Sequence, residues 1–162
     1  MPGSTRAFTR RDVLVQVDDL VCGLRGLHRV MAADARLLAY GAFATDRLDG
    51  GDLEMMRRHL GWLDDTVSRV RMEAAFADAG FVVERVDEIG TEWREHAEER
   101  TQPASKALLR LSRLRRRRDD FVRWRGQEIY DHIEANLHHE VFLFLGKLEP
   151  VVHVLGKVGP SH

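Results

Sequence analysis

"RRDVLVQVDDL", residues 10–20, is the stretch whose reading decides the fold. By local propensity Val13, Leu14, Val15 and Val17 form a short apolar run that would open a sheet as its first strand. Asp18 and Asp19 then read as an N-cap and first-turn acid for a helix carrying Leu20, Leu24, Leu27 and Met31 at three- and four-residue spacing. Either a domain begins here, or the stretch is the middle of a sheet whose earlier strands lie elsewhere.

The bulk numbers favour one compact unit. The chain has 162 residues, 44% hydrophobic and 31% charged, which is a globular composition. With 25 basic against 26 acidic residues the net charge is -1, so no whole-protein field recruits a polyanion. The single cysteine, Cys22, excludes an internal disulfide, and its helical spacing beside Leu24 predicts a small buried hydrophobe. No stretch approaches the roughly 20 apolar residues of a membrane helix and no apolar leader is visible, so a cytoplasmic location without a membrane partner is expected.

Outward from residue 20, the predicted elements alternate. The first helix ends near Ala32, and "RLLAYGAF", Arg36 to Phe43, reads as a strand. A short helix is predicted over Leu53 to Leu60. From Asp64 a helical stripe of Val67, Val70, Ala74 and Ala77 runs to Gly80, which stands where a C-terminal cap belongs. "FVVERVDEI", Phe81 to Ile89, reads as the next strand. Thr91 to Arg100, Pro103 to Arg118 and Asp119 to Leu145 favour helix, with Pro103 suited to a first turn. In the last of these, Ile129, Ile133, Leu137, Val141 and Phe142 keep one apolar face. Gly146 stops it, and "VVHVLGK" after Pro150 is a closing strand. Helix and strand in alternation signify a layered α/β sheet.

Four segments, "RDVLVQVDDL" (Arg11 to Leu20), "HRVMAADARLLAYGAFATDRL" (His28 to Leu48), "MEAAFADAGFVVERVDEIGTEWREHAEE" (Met72 to Glu99) and "LGKLEPVVHVLGK" (Leu145 to Lys157), resemble in order and spacing the class I S-adenosylmethionine-dependent methyltransferases, in the small-molecule branch called type 11. The resemblance reaches only the second half of such an enzyme. It implies a helix-rich α/β fold: an incomplete Rossmann-like methyltransferase sheet made of the C-terminal strands, with a helical cover over about residues 91–145. Residues 1–10 are expected to be a disordered or remnant N-terminus, and 11–162 the methyltransferase-like part. On this reading residues 11–17 are the turn after the fourth strand, at the carboxyl edge where ligands bind open α/β sheets. "ARLLAY" is then the fifth strand, and "FVVERVDEI" and "VVHVLGK" an antiparallel pair.

The resemblance implies substrate-pocket positions at Arg11, Asp12 and Gln16, at Tyr40 and Phe43 ending the fifth strand, and at Glu92, Trp93 and His96 on the helical cover. It also implies a small-molecule methyl acceptor and S-adenosylmethionine. Plainer readings stand beside these: Arg11 and Asp12 as a surface ion pair, Phe43 and Trp93 as core. Three departures limit the likeness. Ala33, Asp34 and Ala35 replace the family's Pro-Gly-Gly turn, which alters that turn without forbidding it. Gln16 stands where a His is common, and an amide exchanges no proton near neutral pH. No glycine-rich loop follows a first strand, and Gly23 and Gly26 lie inside a predicted helix, so the adenosine half of the cofactor site is missing.

Two further clusters invite function. Glu134 and His138 share a helical face near Asp131. A zincin motif from His139 and Glu140 would need a second His where Leu143 stands, so no metal is assigned. Arg115 to Arg118, with Arg110, Arg113, Arg123 and Arg125, could meet phosphates. Asp119 and Asp120 follow at once and aromatic interleaving is sparse, so an exposed, acid-neutralised helix junction is expected rather than a nucleic-acid site.

The expectation is therefore a methyltransferase-like, substrate-side half, inactive alone. A cut sheet leaves an edge strand and apolar faces, which predicts a homo-oligomer or pairing with a separate N-terminal half. The rival is a non-catalytic interaction or regulatory module on a degenerate methyltransferase scaffold. A broken gene or misassigned start is the third reading.

Overall fold

The computed structural model describes residues 7–10, 14, 17 and 19–157. Arg11, Asp12 and Gln16 lie outside the described residues. Two compact units emerge. One takes the chain up to Phe43, Leu63–Glu88 and the chain from Pro150 on; the other takes Ala44–Trp62 and Ile89–Glu149.

The first unit is the sheet. Its strands are β1 (Ala7–Arg10), β2 (Arg36–Ala44), β3 (Phe81–Glu88) and β4 (Leu148–Lys157), in the order β1-β2-β4-β3. β1 runs parallel to β2, with Ala7 opposite Arg36 and Arg10 opposite Ala39. β3 and β4 are antiparallel, from Phe81 opposite Lys157 to Glu88 opposite Val151. The strand at Ala7–Arg10 falls within the segment expected as a disordered or remnant N-terminus. The four residues AFTR carry too little apolar periodicity to announce a strand, and the parallel partner β2 supplies the order that sequence could not.

Helix α1 (Leu20–Val30) is capped by Asp19, read from sequence as the first-turn acid after an Asp18 cap; its carboxylate accepts from the Cys22 amide at 2.8 Å. Leu20, Leu24 and Met31 are buried. Cys22 is exposed, because it falls two positions off that stripe, which corrects its assignment to the core. The turn before β2 persists without Pro-Gly-Gly, closed by the Ala35 amide on the Ala32 carbonyl at 3.1 Å. The helical stripe proposed from Asp64 is also corrected. Ser68 breaks it into α3 (Asp64–Val67) and α4 (Arg69–Asp78), so its phase does not carry across. Met72, Ala75 and Phe76 are buried on α4, whereas Val70 is 77% exposed and Ala74 and Ala77 face solvent. Phe76 and Met72 bury more area than two alanines, and they set the face.

The second unit is helical: α2 (Gly50–Leu60), α5 (Thr91–Thr101), α6 (Pro103–Arg116), α7 (Arg118–Arg125) and α8 (Gln127–Phe144). α2 begins three residues before the predicted Leu53, since Asp49 caps it through the Asp52 amide at 2.9 Å. This unit therefore takes in residues before 91 as well as the predicted cover. The single helix expected over Asp119 to Leu145 is two, because Gly126 adopts φ +91° between α7 and α8. α8 packs against α2, α6 and α7 and is the unit's axis.

One device holds β4 between its neighbours. The β3–β4 register slips between Val83 and Arg85, leaving Glu84 as the extra residue of a bulge. Glu84 reaches over Gly156 and pairs with Arg36 on β2. A Cβ at Gly156 would strike that carboxylate. Gly156→Ala is expected to lower stability by about 1 kcal/mol by displacing the pair, while the same change in a Glu84→Ala background becomes neutral or stabilising. Urea denaturation of the four-member cycle measures this; additive effects would show that Gly156 does not serve the ion pair.

Candidate functional site

In the sheet unit the two predicted positions on β2 differ. Tyr40 is half-buried, whereas Phe43 is 2% exposed and belongs to the core. Phe43 meets His153 edge to face at 5.9 Å, and Phe76 meets the same imidazole at 5.3 Å. His153 itself is 1% exposed, with Nε2 3.1 Å from Glu73 Oε1. Glu73 also accepts from Arg69 Nε at 2.9 Å, and Arg69 reaches Glu88 at 2.6 Å. Burial alone would raise the Glu73 carboxyl, but hydrogen bonds from Arg69 and His153 outweigh it and hold the group below its ordinary value. Phe43 thus packs on a buried imidazole–carboxylate–guanidinium chain that sequence reading missed. The signal was there: in "VVHVLGK" Val151, His153 and Leu155 alternate, which puts the histidine on the strand's buried face.

Beside α1 a cleft of about 530 Å³ carries Asp19, Thr66, Arg71 and Asp78 among apolar walls.

In the helical unit Glu92, Trp93 and His96 are all exposed, Trp93 at 64%, which corrects the reading of Trp93 as core. The residue that anchors α5 lies between them. Arg94 donates to the carbonyls of Leu143 and Leu148, the latter at 3.2 Å. Glu98 closes the far end of α5 by accepting from the Ala104 and Ser105 amides at the start of α6. The predicted site residues thus fall into two units, Tyr40 and Phe43 in one and Glu92, Trp93 and His96 in the other.

The cluster on α8 is claimed by an arginine. Arg115 donates to Glu134 at 2.6 Å and lies 3.0 Å from His138 Nε2. Among the described residues no group of three potential metal ligands comes together. The arginine run is neutralised locally: Arg117 and Arg123 flank Asp120 at 3.8 and 3.7 Å, and Arg118 lies 3.8 Å from Asp119. No helix among the described residues is long and apolar enough to cross a membrane.

No family model matches the chain, and no curated protein matches it in sequence. Solved structures do. A mycolic acid cyclopropane synthase complexed with S-adenosylhomocysteine superposes with a TM-score of 0.64 at 14% identity, over 93% of this chain and 55% of its own. A protein described provisionally as a sarcosine dimethylglycine methyltransferase, from Galdieria sulphuraria, gives 0.61 at 13% identity, over 96% and 53%. The 4+2-cyclase SpnF gives 0.62 at 12% identity, over 94% and 50%. The chain spans about half the length of each. The described residues have the fold of the C-terminal portion of S-adenosylmethionine-dependent methyltransferases.

One of these neighbours carries S-adenosylhomocysteine, and the described residues do not form a site for its adenosine. Gly23 and Gly26 are exposed on α1. The glycines whose missing Cβ admits a close neighbour, Gly41, Gly146 and Gly156, face Phe43, Arg47 and Glu84, side chains of the protein itself. No described glycine loop presents backbone amides after a strand, so no methyl-transfer step is derived.

Two measurements follow from the charges. Glu73 has a depressed folded-state pKa, so its contribution is present above the unfolded carboxylate range, near pH 4, and is lost as acid passes below it. Stability curves from pH 6 to 3 are expected to fall more steeply for the parent chain than for Glu73→Gln; parallel curves would remove Glu73 from the account. Burial first, and then the Arg115 charge, push the His138 imidazole below its ordinary value. Arg115→Gln is expected to raise its NMR titration midpoint, and an unmoved midpoint would leave burial as the whole cause.

Proposed function

We propose that these residues form the substrate-side part of a small-molecule methyltransferase of the type 11 kind, and that they do not transfer methyl groups unaided. The observation that carries the reading is the strand order β1-β2-β4-β3 with β3 and β4 antiparallel, shared at fold level with proteins about twice as long. On this reading β1 and β2 stand for the fourth and fifth strands of the complete sheet. Arg11, Asp12, Gln16 and Tyr40 border the acceptor, and Glu92, Trp93 and His96 belong to the cover. Adenosine must then be held by elements outside the described residues, in the same or another polypeptide. The free edge of β1 is where such a half would pair.

Isothermal titration of the purified chain with S-adenosylmethionine tests this. No saturable heat is expected, and a stoichiometric signal would overturn the claim of incompetence. The fold by itself does not fix the reaction, since its neighbours carry names as different as methyltransferase and cyclase.

A further inference from the structure

Three helical stripes in the second unit converge on an open apolar cavity of about 650 Å³. From α6 and its C-cap, Arg110, Arg113, Leu114 and Arg117 line it, spaced to share one face. α7 contributes Phe121 and Trp124, and α8 Ile133 and Leu137. The volume lies within the range of small-molecule sites, about 300–1,000 Å³, and the floor is apolar with few polar groups, as such sites are. Trp124 is 70% exposed at its mouth, its ring lying under the Arg125 guanidinium at 3.8 Å and edge-on to Phe121 at 6.2 Å.

The charge on the rim is unbalanced. Three guanidinium groups face the cavity against one carboxylate, Asp120, and that carboxylate is shared between Arg117 and Arg123. Arg110 and Arg113 have no ion-pair or hydrogen-bond partner among the described residues. The run Arg115–Arg118, which draws the eye in the sequence, is by contrast engaged with Glu134, Ser112, Asp120, Asp119 and Gln127. The cations left to receive an anion are therefore the two outside the run, one turn apart beside an apolar floor.

We propose that this cavity binds a free amphipathic carboxylate of the fatty-acid class, its tail on Leu114, Phe121, Ile133 and Leu137 and its head between Arg110 and Arg113. A guanidinium fork matches a carboxylate bidentately, and two of them select charge where the apolar floor selects only bulk. The site lies wholly within the helical unit and requires no methyl transfer, so its failure would leave the reading of the sheet untouched.

The probe is laurate below its micelle concentration, titrated into the full chain by calorimetry and by fluorescence, with Trp124→Phe identifying the Trp124 signal. Saturable binding of laurate, and much weaker binding of dodecyltrimethylammonium with the same tail and opposite charge, is expected. The double variant Arg110→Gln/Arg113→Gln changes only exposed side chains, and circular dichroism checks its fold; it is expected to weaken laurate about tenfold while leaving the ammonium unchanged. Equal affinity for the two detergents, or an unaltered laurate affinity in the double variant, overturns the site. So does binding to anionic phospholipid vesicles without binding of monomeric laurate, which would make the arginines a membrane-facing patch.

Discussion

The last strand of the chain lies between two strands that precede it, and the rest of the sheet unit is arranged around that insertion. β4 must be apolar enough to be covered and must find its place after the whole helical unit has been made. Closing a long loop costs only slowly more with its length, and less when the intervening residues fold into a unit of their own. The helices over 89–149 meet that condition through α8, against which α2, α6 and α7 pack. The insertion is thus cheaper than the separation of β3 and β4 in sequence suggests.

Two polar ties hold the strand, and the alternation of side chains places them on opposite faces. His153, an odd position with Val151 and Leu155, meets Glu73 of α4 under the sheet. Gly156, an even position, leaves room for Glu84 to cross β4 and reach Arg36. The first tie joins β4 to α4, and the second joins β3 to β2 across β4. The apolar contacts around Val151 and Leu155 would tolerate a slipped strand with less penalty than these pairs do, because a slip leaves a buried imidazole and a bulged glutamate without partners.

Much of this was legible in residues 10–157, and the parts that were not share a cause. Caps and stops announce themselves locally: Gly80, Pro103 and Gly146 act where the sequence puts them, and the cap of α1 falls one residue later, at Asp19. The strands β2, β3 and β4 are legible because valine, leucine and aromatic residues alternate in them. What failed were inferences about which face is buried. Cys22, Trp93 and the Val70–Ala74–Ala77 stripe are apolar residues that the fold leaves in water, since larger neighbours such as Phe76 had already taken the available contact. The candidate site was legible only as far as positions. That Phe43 rests on His153, and that Arg115 occupies both Glu134 and His138, are facts of side chains far apart in sequence, which periodicity does not report.

On the proposed reading, one residue type narrows the chemistry at the acceptor side. A methyltransferase whose acceptor must lose a proton needs a base beside it, and Gln16, proposed to border the acceptor and outside the described residues, is an amide that neither accepts nor carries that proton near neutral pH. If methyl transfer takes place there, the acceptor brings a lone pair that is already free, as a neutral amine or a thiolate does, or another group removes the proton. His153 is not that group, because it is enclosed by Phe43 and Phe76 and bonded to Glu73. His96, exposed on α5, belongs to the other unit. On the proposed reading, the acid–base work therefore falls to the acceptor itself or to residues beyond those described.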